Sequence, residues 1–174
     1  MIWLWLRELD ARLRLLLPFA SAVCAVLIDV LPLLGLGPWG LTPFLTLCVV
    51  YFWSLYRPDL FGALAAFATG MVYDALAGLP LGLTSLILVL ARQLVIVQRR
   101  FFVARSFLVV LSCFLLLAPA VEIARWLLAC VWWGRLFPFQ PIALSLVLTM
   151  ALYPIASVLL TRVDSRIPRL IHAP

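Results

Sequence analysis

The chain contains no lysine; all 13 of its basic residues are arginine. Charge of either sign is scarce, at 11% of 174 residues, where a soluble domain carries about a quarter. One histidine is present, His172, close to the C-terminus, so no histidine pair exists to share a metal ion or a catalytic proton. The four cysteines, Cys24, Cys48, Cys113 and Cys130, all lie in apolar runs without a CxxC pair. They read as packing residues and not as a disulfide or zinc framework. There is no HExxH, no Ser–His pairing and no glycine-rich phosphate loop, and hence no call for a cofactor or a metal. What fills the chain instead is apolar: 67% of residues are hydrophobic and the mean hydropathy is +1.20. No compact soluble fold of this size has interior enough to hide that surface. A water-soluble enzyme, a DNA-binding module and a disordered tail are thereby excluded. At about 20 residues per spanning helix, the length fits six or seven spans and leaves no room for a separate extramembrane domain.

The hydrophobic pattern predicts an all-α polytopic membrane protein. Residues 1–14, MIWLWLRELDARLR, form an amphipathic cytoplasmic segment, with Trp3 and Trp5 suited to the interface and Arg7, Arg12 and Arg14 to anionic headgroups. A six-helix transmembrane domain covers 15–161, with apolar segments at 15–34, 41–56, 60–78, 81–97, 106–133 and 141–161, and a short cytoplasmic tail covers 162–174. The fifth segment is overlong and holds Pro119, which predicts a kink or an end lying flat at the interface. The connections GLGPWG, RPD, LPLG, QRRFFVAR and GRLFPFQP are short, so sequential helices are antiparallel neighbours. The net charge of +6 is scattered over these turns and not gathered into a nucleic-acid patch. With the N-terminus inside, Arg7, Arg12, Arg14, Arg57, Arg99, Arg100, Arg105, Arg162, Arg166 and Arg169 fall on the cytoplasmic side, and Arg135 alone falls outside. Both termini are therefore expected in the cytoplasm.

Ionisable groups at membrane depth cost roughly 2.5–3.5 kcal/mol each on insertion scales and require an account. Asp29 and Asp74 fall about 21 Å from the inner edge of a core about 30 Å thick. Glu122 lies deeper along the fifth helix and Arg125 one turn further on the same face. Two readings of this outer-half cluster stay open. The groups reach for interfacial water, or Asp29, Asp74, Glu122 and Arg125 form a polar nest lining a cavity or a docking groove, with Arg125 paired to Glu122 or to an aspartate. Arg92, near the inner end of the fourth helix, is placed to snorkel to headgroups. In the third helix Gly62, Ala66, Gly70, Asp74 and Gly78 recur at every fourth position. Small residues in such a row let backbones approach closely, either for internal packing or for a partner's helix.

The motifs Tyr51-Phe52-Trp53 leading to Arg57-Pro58, Gly70-x-x-x-Asp74-x-x-x-Gly78-x-Pro80-Leu81-Gly82 and Gln98-Arg99-Arg100-Phe101 resemble the MreD family of bacterial rod-shape-determining membrane proteins, in particular its alphaproteobacterial form. The resemblance implies a non-enzymatic inner-membrane subunit of the elongasome, the machine of lateral peptidoglycan synthesis. It implies MreC as a direct partner, with the MreB filament, the RodA polymerase and the elongation transpeptidase in the same complex. It also implies a fold similar to the substrate-binding subunits of energy-coupling-factor vitamin transporters, which keeps a second function open: a transporter-type subunit holding a small molecule or lipid in the outer-half nest. The cytoplasmic basic turn with Arg99, Arg100 and Arg105 is expected to meet anionic membrane lipid or the filament.

Overall fold

The computed structural model describes the backbone of residues 2–31, 42–102 and 107–165, and side chains over 16–31, 42–99 and 107–165. Six helices make up these residues: α1 (Ile2–Val30), α2 (Leu45–Tyr56), α3 (Ala63–Ala77), α4 (Leu83–Phe102), α5 (Phe107–Trp133) and α6 (Gln140–Asp164). No strand occurs among the described residues. The expected side chains of Trp3, Trp5, Arg7, Arg12, Arg14, Arg100 and Arg105 lie outside the described residues, as do the GLGPWG connection, Arg166, Arg169 and His172.

Helix α2 forms the centre. Every residue from Thr46 to Leu55 is buried, and α1, α4 and α6 surround it. Specific bonds fix it to its neighbours: Trp53 Nε1 donates to Ser21 Oγ of α1 at 2.9 Å, and Tyr51 Oη donates to the Val110 carbonyl of α5 at 2.9 Å. Tyr51 also meets Phe114 and Tyr153 edge-on, and those two rings stack with centroids 4.1 Å apart. Each such aromatic contact adds about 0.5–1.5 kcal/mol to plain burial.

Around an apolar core, the distribution of polarity departs from a soluble domain's. Asp29, Thr46, Ser54, Thr69, Asp74, Thr84, Ser85, Glu122, Ser145, Thr149 and Ser157 are buried, while large apolar side chains such as Leu64, Leu108, Leu116, Val131 and Leu136 stand exposed. An apolar surrounding favours that arrangement, because polar groups then have partners only inside the protein. By length and apolarity α5 and α6 are fit to cross a membrane, and α2 and α3 are shorter apolar helices. Helix α4 has 20 residues but includes Arg92, Gln93, Gln98, Arg99 and Arg100.

Several helix ends differ from the hydrophobic pattern. Helix α2 starts at Leu45 and not at 41, since Pro43 offers no N–H and holds the residue before it extended. Helix α3 starts only at Ala63, behind Gly62 in an extended conformation. Helix α4 runs on to Phe102, so the Gln98-Arg99-Arg100-Phe101 stretch is helical and not a turn. Polarity marks where apolar surroundings end, and a helix continues past that point when its backbone bonds are local. Helix α5 carries Pro119 within one continuous helix.

At one end of the bundle, arginines close the α2–α3 connection. Arg99 Nε donates to the Leu55 carbonyl at 2.9 Å, satisfying a free carbonyl in the last turn of α2. Arg92 Nε donates to the Phe61 carbonyl at 2.9 Å, and Arg57 Nε lies 3.0 Å from Asp164 Oδ1. The C-terminal ends of α2, α4 and α6 therefore lie together.

Candidate functional site

The opposite end gathers the last turns of α1 and α3, the first turns of α2, α4 and α6, and the second half of α5. A helix start buried in apolar surroundings leaves N–H groups without water, so each needs an acceptor from elsewhere in the chain. Asp29, in the last turn of α1, supplies them to α2. Its Oδ1 accepts the Leu45 N–H at 2.9 Å; its Oδ2 accepts the Thr46 N–H at 2.8 Å and the Thr46 hydroxyl at 2.7 Å. Thr149 Oγ1 on α6 accepts the preceding N–H, that of Phe44, at 2.8 Å. Asp74, in the last turn of α3, does the same for α4: its Oδ2 accepts the Gly82 N–H at 2.9 Å, and the Thr84 N–H reaches both oxygens at 3.1 Å. Negative charge at these positions also opposes the positive end of each helix dipole. The same device thus occurs twice, an aspartate closing one helix by capping the next.

Between Asp74 and α4 the chain reverses through Gly78 (φ +66°) and Gly82 (φ +100°), both in the left-handed region that favours glycine. Pro80 between them accepts the Leu83 N–H on its carbonyl. The row of small residues serves different ends along its length. At Gly70 a Cβ would press into the backbone and hydroxyl of Ser85, so α3 and α4 touch there main chain to main chain. Ala66 and Asp74 are fully buried, and Gly62 precedes α3 in open space.

Glu122 and Arg125 come together on α5. Arg125 Nη2 stands 3.4 Å from Glu122 Oε2, and Nη1 donates to Tyr73 Oη at 3.3 Å. The guanidinium lies over the Phe44 ring, 4.4 Å from its centroid, a favourable cation–π placement. Glu122 is 1% exposed, and neither of its carboxylate oxygens has a hydrogen bond. Beside the pair opens a cavity of about 330 Å³, lined among others by Tyr73, Leu79, Trp126, Trp133 and Ile142. Trp126 Nε1 donates to the Phe137 carbonyl at 3.2 Å, holding the α5–α6 connection across its rim.

Of the four charged residues singled out by depth, Glu122 and Arg125 meet at this cavity. Asp29 and Asp74 are engaged by helix starts. Of the basic turn, Arg99 binds the end of α2. Tyr73, Phe44 and Thr149 belong to the same end, and hydropathy alone does not distinguish them. A usable signal exists for Asp74: an aspartate followed by Gly78, Pro80, Gly82 and Thr84 is a helix end, a tight reversal and a new helix start needing an acceptor. Among the described residues no group of three His, Cys, Asp or Glu side chains is placed to hold a metal ion.

Among known proteins, the family described as rod shape-determining protein MreD matches residues 10–163. No curated protein and no solved structure matches the chain. The match leaves out only the first turns of α1 and residues 164–174, and takes in the Gly70–Gly82 reversal with its capping aspartate; the chain belongs to the MreD family of rod-shape-determining membrane proteins.

Proposed function

We propose that this MreD-family chain is a non-enzymatic subunit of the elongasome in the bacterial inner membrane, with six membrane-crossing helices, both termini cytoplasmic, and a fold like that of energy-coupling-factor substrate-binding subunits. It binds MreC directly and, in one complex with MreB, RodA and the elongation transpeptidase, helps couple the inner filament to peptidoglycan synthesis along the lateral wall. Two of the membrane-depth carboxylates, Asp29 and Asp74, are engaged by helix starts, which supports a structural use of these groups.

The observation that carries the reading is the outer face of α4. Leu86, Leu90, Leu94 and Val97 form an exposed row at helical spacing, and Gln93 is exposed beside it. Lipid satisfies leucine and leaves a glutamine amide without partners, whereas an apposed helix satisfies both, by ridge packing and by an interhelical hydrogen bond. A single-helix partner such as MreC fits this face. Co-expression and purification test it. MreC copurifies with the wild-type chain, and Leu90→Trp and Gln93→Leu each reduce its recovery several-fold. Val147→Trp, at an exposed position on α6, leaves recovery unchanged. Equal MreC recovery with all three variants contradicts the α4 assignment, and no MreC recovery with the wild type contradicts the partner.

A further inference from the structure

The α5 cavity has a polar floor whose bonding is incomplete. Glu122 is buried with both carboxylate oxygens free of hydrogen bonds, and a buried acceptor left unmade costs about 1–3 kcal/mol, more when charged. Arg125 has five N–H donors, of which one bonds Tyr73 and one faces Glu122; its side chain is 21% exposed and lines the cavity. Above the pair the walls are apolar and aromatic, through Leu79, Leu83, Trp126 and Ile142. At the mouth Trp133 is exposed, next to exposed Trp132, Leu136 and Phe139, the composition of a membrane interface. The volume, about 330 Å³, is at the small end for ligand sites and suits a headgroup whose tails leave along the apolar wall.

We propose that this cavity binds the head of a phosphatidylethanolamine, its ammonium donating to Glu122 and its phosphate accepting from Arg125. The two protein charges cancel, so the floor favours a group carrying both signs over a simple anion, which would meet the carboxylate. The orphan oxygens of Glu122 call for N–H donors, and a choline head has none. The inference rests on the membrane topology above and not on MreC. Lipid retention is read on the isolated chain, so failure of one leaves the other standing.

Native mass spectrometry of the delipidated full-length chain in detergent tests it, with phosphatidylethanolamine, phosphatidylcholine and phosphatidylglycerol of identical acyl chains offered together. The expected result is retention of the ethanolamine lipid about tenfold over either competitor, the worth of one charge-assisted hydrogen bond. Glu122→Gln, close in shape, brings ethanolamine and choline lipids within about twofold of each other, since a neutral acceptor forms the weaker bond. Ala129→Phe, which fills the cavity from its wall, lowers ethanolamine-lipid retention to the choline level, with circular dichroism showing helical content unchanged. Glycerophosphoethanolamine, the same head without tails, is not retained. Equal retention of the three lipids, a preference for phosphatidylglycerol, or an ethanolamine preference untouched by both variants overturns the proposal. Retention of glycerophosphoethanolamine as strong as that of the lipid assigns the site to a soluble zwitterion and overturns the lipid assignment.

Discussion

Asp29 and Asp74 spend their carboxylates on the backbone of the helix that follows, and each holds N–H groups that have no other acceptor. Bonds to a charged acceptor are worth about 1.5–3 kcal/mol each. Asp74→Asn keeps the shape but offers one good acceptor where there were two and turns an amide donor toward backbone donors. We expect it to destabilise the protein by about 2 kcal/mol in thermal unfolding in detergent, and Asp29→Asn by a similar amount. Asp59→Asn, at an exposed position, stays within about 0.5 kcal/mol. Equal stability of Asp74→Asn and Asp59→Asn would falsify the capping role. That Asp29 and Asp74 need partners inside the protein is legible from depth alone, because charge in an apolar run is expensive. Their partners are not, since depth along one helix does not say which helix begins beside it. Glu122, three residues before Arg125 on one helix, is one of the partners the sequence leaves open for it beside an aspartate, whereas Tyr73 of α3 and Phe44, just before α2, reach Arg125 only through the tertiary fold.

At the scale of elements, the α3–α4 pair is joined by backbone approach and a capped reversal. Gly70 is the point where any side chain collides with main chain, which cannot swing aside. Gly70→Ala is therefore expected to cost about 1–3 kcal/mol, as overpacking does, with a matching fall in melting temperature. Adding Ser85→Gly does not restore it, because the Ser85 backbone remains in place. Gly62→Ala, with nothing within 4 Å and φ −71°, is tolerated. If Gly70→Ala melts with the wild type, α3 and α4 do not approach as described. The small-residue row announces a close approach in the sequence, yet its glycines look alike there. Only the neighbouring helix separates Gly70, which touches it, from Gly62, which does not. Helix ends were the least legible feature: α4 continues through Arg99 and Arg100 because backbone bonding does not stop where polarity begins.

At the scale of the molecule, the arginine-only basicity and the apolar exterior belong to one design. With apolar surroundings, interior polar groups tie helix to helix, and arginines gather at the end where α2, α4 and α6 terminate. There Arg57 meets Asp164 and Arg99 meets the end of α2. A helical membrane class was legible from composition, since apolarity at this level admits little else. The family was legible from the spacing between Gly70 and Gly82, which in the fold is a glycine reversal capped by Asp74. The face offered to a partner was not legible, because apolar residues occupy nearly every side of each helix, and exposure of Gln93 beside the Leu86–Leu90–Leu94 row emerges only once α4 is packed. Depletion of this chain from its own bacterial host, with the cells imaged by a label for new peptidoglycan, shows whether it maintains rod shape. Cells are expected to widen and round while lateral-wall incorporation falls, and re-expression of the wild-type chain restores rods. Rods of normal width with undiminished lateral incorporation after full depletion would contradict that role.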